Sequence, residues 1–283
     1  KSVNVPATTR WLRVVPCCTR AAGVLAARTW RISSAQIVGK PTNEGGTYWG
    51  PFASRAQAEQ GVLALQDAWP LRRCTQTVSR RPRRPQQSGC MLLQLGKCLG
   101  PCVDAAVEPD YSALVAQVRE AVGRDVRPTL GRVGHRLGKL CDQQRYEEAA
   151  ELNNRLRTYA ETTLRWHRLT SLAGCAQIVA AERSGDDWHL HVIRHGRLAA
   201  AAVAHPGDRP RAVADQAVHL AETVLPPPAG LPAASVEEAE RVASWLEHPG
   251  VRLIDIQGDW SWPLNIAVSA ADLPRHVLGG GRP

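Results

Sequence analysis

Apolar positions fall into register with a helix at Ser54. Ala58, Val62, Leu65 and Trp69 recur at helical spacing, Ser54 is suited to the N-cap, and Pro70 ends the run. A second amphipathic stretch spans Tyr111 to Val122, with Tyr111, Leu114, Val115, Val118 and Val122 on one face. Pro128 suits the first turn of a third helix, whose stripe is Leu130, Val133, Leu137 and Leu140. After a short polar turn at Asp142, Gln143 and Gln144, a fourth helix is predicted from Tyr146 towards Trp166, striped by Ala149, Leu152, Leu156 and Tyr159. Two helices joined this way form an antiparallel hairpin.

The period changes at Ala176. Gln177 to Ala181 reads as a strand and Ser184-Gly185-Asp186-Asp187 as a turn. Trp188, Leu190 and Val192 alternate with His189, His191 and Ile193, and His195-Gly196 turns the chain into Arg197 to Ala204. That pattern is a three-stranded meander. Helices at Arg211 to Val224 and Ser235 to Leu246 and a strand at Val251 to Ile256 complete a small unit, interrupted by the Pro226-to-Gly230 link. Residues 1–42 show no sustained period and are expected to be poorly ordered, with a strand near Trp11 to Val15 as their one candidate element. The fold class is therefore a multi-region α+β chain. Its expected segments are an unpatterned 1–42, a cysteine-rich basic loop segment with flanking helices at 43–125, a helical hairpin at 126–170, a small α+β unit with the meander at 171–270, and a disordered tail at 271–283.

Charge narrows the partner class. The 283-residue chain carries a formal net charge of +9, which favours an anionic partner such as nucleic acid. The excess is local: Ala68 to Val103 holds Arg72, Arg73, Arg80, Arg81, Arg83, Arg84 and Lys97 and no acidic residue. Arginines suit phosphate oxygens, giving sequence-neutral, salt-dependent affinity, and these seven are the candidate DNA-binding set. The run Arg80-Arg81-Pro82-Arg83-Arg84-Pro85 cannot be a helix interior.

Eight cysteines in a chain of this size do not make a disulfide scaffold. With no secretory signal and no apolar run of roughly 18 residues, the expectation is a cytoplasmic protein with reduced thiols. Cys74, Cys90, Cys98 and Cys102 stand in a C-x15-C-x7-C-x3-C array inside the basic segment. Thiols at this spacing can share one zinc ion or one iron–sulfur cluster, so these four are the candidate metal ligands. Cys17, Cys18, Cys141 and Cys175 have no ligand-like neighbours, and Cys141 is expected in the core. His189 and His191 share one strand face, read as solvated, and Trp260 and Trp262 are read as packing residues. No catalytic triad or dyad emerges from spacing.

Three blocks in order carry a resemblance. They are Gly45 to Phe52 with Pro70-Leu71-Arg72-Arg73-Cys74; then Cys90, Gly96-Lys97-Cys98 and Pro101-Cys102; then Tyr146-Glu147-Glu148-Ala149-Ala150-Glu151-Leu152. Together, over residues 45–165, they resemble the central part of UvrC, the nuclease subunit of bacterial nucleotide excision repair. From Gln177 on, the chain looks like the end of the exonuclease–UvrC fusion proteins. The resemblance implies a [4Fe–4S] cluster on the four cysteines, with zinc as the alternative. It implies that the Tyr146 hairpin is similar to the UVR motif, which pairs with a hairpin of UvrB; Tyr146, Glu147, Ala149, Ala150 and Leu152 are then the partner-binding residues. Asn153-Asn154 depart from the motif's usual Arg-Asp.

The family's GIY-YIG domain, its RNase-H-like domain and an exonuclease core are not recognisable here. The expectation is a UvrC-like repair protein, or a fragment with a truncated or frame-shifted upstream region, that binds DNA and a partner and does not itself cleave. The alternative expectation is a redox-responsive or non-catalytic DNA-binding regulator of a nuclease.

Overall fold

The computed structural model describes residues 10–14, 29–30, 35–38, 47–74, 78–79, 90–104, 107–226 and 231–261. The chain divides into two compact units, one within Thr8–Leu164 and one within Arg165–Pro263, and the boundary falls inside a single long helix.

The first unit opens with a three-stranded antiparallel sheet in the order β3-β1-β4, built from β1 (Arg10–Val14), β3 (Ala35–Val38) and β4 (Thr47–Phe52). β1 falls on the strand expected near Trp11 to Val15, and with β3 more of the region expected to lack order is paired. Trp11 and Leu12 are both buried, so the strand is covered on both faces and shows no period of two. Its partners are also distant in sequence, which a local pattern cannot reveal. The two-residue strands β2 (Thr29–Trp30) and β5 (Val78–Ser79) form a separate ladder.

Helix α1 (Arg55–Ala68) starts as predicted, with the Ser54 hydroxyl accepting from the Gln57 amide at 3.2 Å, and stops at Trp69. Cys90 precedes the single turn α2 (Met91–Gln94), and then come α3 (Glu108–Gly123), α4 (Arg127–Asp142) and α5 (Tyr146–Gly174). α5 outruns its predicted end by eight residues, because no proline or glycine interrupts it before Gly174. The α4–α5 turn closes with Gln144 in the left-handed region at φ 59°. The Arg145 amide donates to Leu140 O at 2.9 Å and the Gln144 amide to Cys141 O at 2.9 Å, the Schellman pattern.

Aromatic residues fill this unit's core, and Trp49, Trp69 and Tyr159 have hydrogen-bonded polar ends. The Trp49 indole donates to Thr163 Oγ1 and the Trp69 indole to Thr129 Oγ1, both at 3.1 Å. The Tyr159 hydroxyl donates to Ala121 O at 2.7 Å, and burial pushes its pKa well up. Trp49 packs against Phe52 and Tyr159 with ring centroids 5.0 and 5.4 Å apart. Asp67 on α1 receives Arg136 of α4 at 2.8 Å and Arg155 of α5 at 2.9 Å, so one carboxylate ties both later helices to the first.

The second unit is a four-stranded antiparallel sheet, β8-β7-β6-β9, from β6 (Gln177–Ser184), β7 (Asp187–Arg194), β8 (Arg197–Ala204) and β9 (Val251–Gln257). The meander is as predicted. Ile178 and Ala180 face Leu172 of α5 and Ala243 and Leu246 of α7 (Val236–Leu246). Val179, Ala181, Leu190 and Val192 face Ala214 and Ala217 of α6 (Pro210–Leu220). Helices on both faces explain the unbroken burial from Gln177 to Ala181.

Helix α6 ends four residues before the expected Val224. The sheet's histidines depart from the solvated-face reading. His191 is half-buried against Trp245, ring centroids 4.3 Å apart, and desolvation lowers its pKa; only His189 is exposed. Cys141 is half-buried rather than core, while Cys175 is fully buried. Trp260 packs on the α7 side as expected, and Cys17, Cys18 and Trp262 lie outside the described residues. No helix among the described residues is long and apolar enough to cross a membrane.

Candidate cysteine centre

The four cysteines of the array come from three local structures. Cys74 ends the extended stretch that follows the α1 cap, and it is half-buried. Cys90 occupies the N-cap position of α2 and is exposed. Cys98 and Cys102 lie in the turns after α2, one buried and the other half-buried. Those turns depend on glycine. Gly96 (φ 64°) ends α2 with the Lys97 amide donating to Leu92 O at 2.8 Å. Gly100 (φ 70°) is backed so closely by Leu93 that a Cβ there would come within 2.9 Å of its methyl carbons. The Gly100 amide in turn donates to Cys98 Sγ at 3.4 Å.

The thiols feel one another. Burial raises the Cys98 pKa above its ordinary value; the Gly100 N–H opposes that, and Cys102, Cys90 and Cys74 add to it. Burial also raises Cys102, reinforced by Cys74 and Cys90, with the Arg72 guanidinium pulling the other way. All four sulfurs therefore stand within electrostatic range. Among the described residues, however, no three His, Cys, Asp or Glu side chains converge closely enough to hold a metal ion. The segment gathers the array without closing it.

The basic set divides. Arg72 is buried, only 5% exposed, and faces inward: its Nε donates to Cys74 Sγ at 3.0 Å, its amide donates to the Tyr111 hydroxyl at 3.1 Å, and its Nη2 is buried with no hydrogen-bond partner. It therefore leaves the phosphate-contact set. Arg73 is half-buried, with Nη2 donating to Gln66 O at 3.0 Å. Lys97 is exposed. Arg80, Arg81, Arg83 and Arg84 lie outside the described residues. Sequence reasoning overlooked the cations of α4. Arg132 lies over the Trp69 ring at 4.2 Å, and His135 and Lys139 stand exposed on the same helix.

The partner-binding set divides as well. Ala149 and Leu152 are buried within their own unit, whereas Tyr146 is 64% exposed beside exposed Glu147, Glu148 and Ala150. Glu148 is held by Arg145 at 2.6 Å, leaving Tyr146, Glu147 and Ala150 as the outward part of the strip.

Residues 25–121, which span the whole cysteine array, match the family model described as the UvrC/Cho excinuclease middle domain. The chain is UvrC-like. The match begins upstream of residue 43, the boundary expected from pattern alone, and takes in β3 and β4. A putative bifunctional exonuclease/endonuclease protein of Mycobacterium tuberculosis is 33% identical over 213 residues, 74% of this chain and 32% of that protein. UvrABC system protein C of Rhodospirillum rubrum is 32% identical over 54% of this chain and 24% of its own length. The same protein of Syntrophus aciditrophicus is 27% identical over 75% of this chain and 35% of its length. The chain thus spans about a quarter to a third of the length of the curated relatives it matches. No solved structure matches it.

Proposed function

We propose that this chain serves nucleotide excision repair as the UvrC-like segment that holds DNA and a partner beside a nuclease, without cutting DNA itself. The observation that carries this reading is the match to the UvrC/Cho middle domain across residues 25–121, with all four array cysteines inside it. The relatives bearing the name UvrABC system protein C support it, and so does the acid-free basic segment.

Cys74, Cys90, Cys98 and Cys102 would hold the resident group. The donor chemistry fits: four thiols within electrostatic range, an N–H donor on the Cys98 sulfur, and a buried arginine with a free donor beside Cys74. A [4Fe–4S] cluster is the reading that the resemblance to UvrC favours, with zinc as the alternative that four thiols equally admit. When bound, such a group supplies a covalent cross-link between the α1 exit and the α2 turns and, if it is a cluster, a one-electron couple. The chain's own residues do the remaining work. Arg73, Lys97 and the four arginines at 80, 81, 83 and 84 contact phosphates without reading sequence. Tyr146, Glu147 and Ala150 offer a partner helix an aromatic anchor flanked by acid. A helical hairpin of UvrB type, with basic residues opposite Glu147, has the complementary chemistry.

The test uses the full chain, purified without air. Iron and sulfide are assayed, and binding to damaged and undamaged duplexes is measured across a salt series with Mg²⁺ present. Tight, salt-sensitive binding without nicking is the expected result. Specific nicking by the pure chain, or no binding at low salt, overturns the reading.

A further inference from the structure

We infer that Arg72 is the built-in counter-cation of the cysteine centre, a positioning residue whose guanidinium holds an anionic, thiolate-ligated group. The inference rests on the reading that the four cysteines carry such a group.

Three observations converge on Arg72. First, it is buried in a segment, Ala68 to Val103, that contains no acidic residue, so no carboxylate of that segment can neutralise it. Arginine is almost never buried unless paired, and a buried cation without a counter-charge is strongly disfavoured. Secondly, its hydrogen bonding is half complete. Nε reaches the Cys74 sulfur at 3.0 Å while Nη2, also buried, has no partner. A guanidinium presents its donors as a fixed fork, so with one prong on a cysteine sulfur the other is held in the same sulfur-rich neighbourhood. Thirdly, the residue is fixed from two sides. Its amide donates to the hydroxyl of fully buried Tyr111 on α3, and the preceding Leu71 amide donates to Trp69 O at the α1 exit at 2.7 Å. The fold spends two elements on holding a cation in place, and the missing partner is an anion.

The thiolate-ligated group supplies that anion. Four thiolates outweigh the charge of one zinc ion, and they also leave a [4Fe–4S] centre net negative. Hydrogen bonds to the sulfurs and nearby charge are the levers by which a protein sets the potential and retention of such a group. DNA phosphate is a poor alternative partner, because a side chain with 5% of its surface exposed does not reach a polyanion outside.

The experiment compares the wild-type chain with Arg72→Met and Arg72→Lys, all purified anaerobically. Arg72→Met should release its metal to a chelator roughly ten- to a hundredfold faster. Where the centre is a cluster, its midpoint potential should become more negative, because the reduced form loses a neighbouring positive charge. Arg72→Lys keeps the charge and should stay near the wild-type potential. Metal-free Arg72→Met should melt no lower than the metal-free wild type, which separates charge compensation from simple packing. Equal chelator release and equal potential in Arg72→Met and wild type overturn the inference while leaving the metal reading intact. A wild-type chain that takes up neither iron–sulfur nor zinc ends both. Should Arg72→Met weaken DNA binding and flatten its salt dependence with the centre unchanged, Arg72 would be a phosphate ligand and the inference would fall.

Discussion

Single side chains in this protein are most informative where a polar atom is buried. Thr129 is fully buried at the start of α4 and its hydroxyl accepts the Trp69 indole N–H. Thr129→Val keeps the shape and removes the acceptor, leaving that N–H desolvated and unpaired. The substitution should destabilise the chain by about 1–3 kcal/mol in denaturant unfolding, with Thr129→Ser recovering most of the loss. A second prediction concerns Cys175. Burial, with a smaller contribution from the Asp259 carboxylate, pushes its thiol up to about 11, and its Sγ lies 3.6 Å from Ser171 O. At pH 8 the thiolate is then about a thousandth of the population. In an alkylation time course read by mass spectrometry, Cys175 should be modified last, and its rate should rise about tenfold per pH unit from 8 to 10. Prompt labelling at pH 8 would contradict the burial. Neither property could be read from sequence, because a cysteine or threonine looks the same there whether its surroundings are wet or dry.

The elements themselves were largely legible. Ser54, Pro70 and Pro128 punctuate the helices as their chemistry dictates, and the alternation around Trp188 gives the meander. What pattern missed has a physical cause in each case. β1 fell on its candidate strand, but β3 was missed: it is four residues long and takes its place in the sheet by pairing with β1, so it carries no local signature. Gln144 takes the left-handed position where glycine is the usual residue, so the Schellman turn showed only as a short polar gap. The candidate site was legible as four cysteines in a basic run. That Arg72 turns inward was not, since its partner is a sulfur two residues away and a tyrosine on another helix. Helix α4 yields its own prediction. It carries Gly131, Gly134 and Gly138 in its interior, and a Cβ at any of the three would meet nothing within 4 Å. Replacing each by alanine should stabilise the chain by about 0.5–1 kcal/mol through lost unfolded-state entropy, measured as a higher denaturant midpoint at unchanged m. A loss of stability at Gly131 or Gly138, both exposed, would mean that the helix face is not open.

Across the whole molecule, the net charge of +9 is concentrated rather than spread. Burial removes Arg72 from the contact surface, and Asp67 already pairs with Arg136 and Arg155. Of the remaining cations of the basic segment, Lys97 is exposed and Arg73 half-buried, while the arginines at 80, 81, 83 and 84 lie outside the described residues. This arrangement makes a quantitative claim about DNA binding. On a duplex, the slope of log K against log salt is about −0.9 for each phosphate neutralised. Replacing Arg80, Arg81, Arg83 and Arg84 together by glutamine should flatten that slope by about 3–4 if each touches a phosphate. The loss should be the same on damaged and undamaged duplexes, because phosphate contacts carry no sequence or lesion information. Arg72→Met, by contrast, should leave the slope of the loaded protein where it was. Fluorescence anisotropy on a labelled duplex from low to moderate salt reads all three. A slope unchanged by the quadruple substitution would assign the phosphate contacts elsewhere. The exposed cations of α4, Arg132, His135 and Lys139, would then be the next set to replace, and the basic segment would serve the cysteine centre alone.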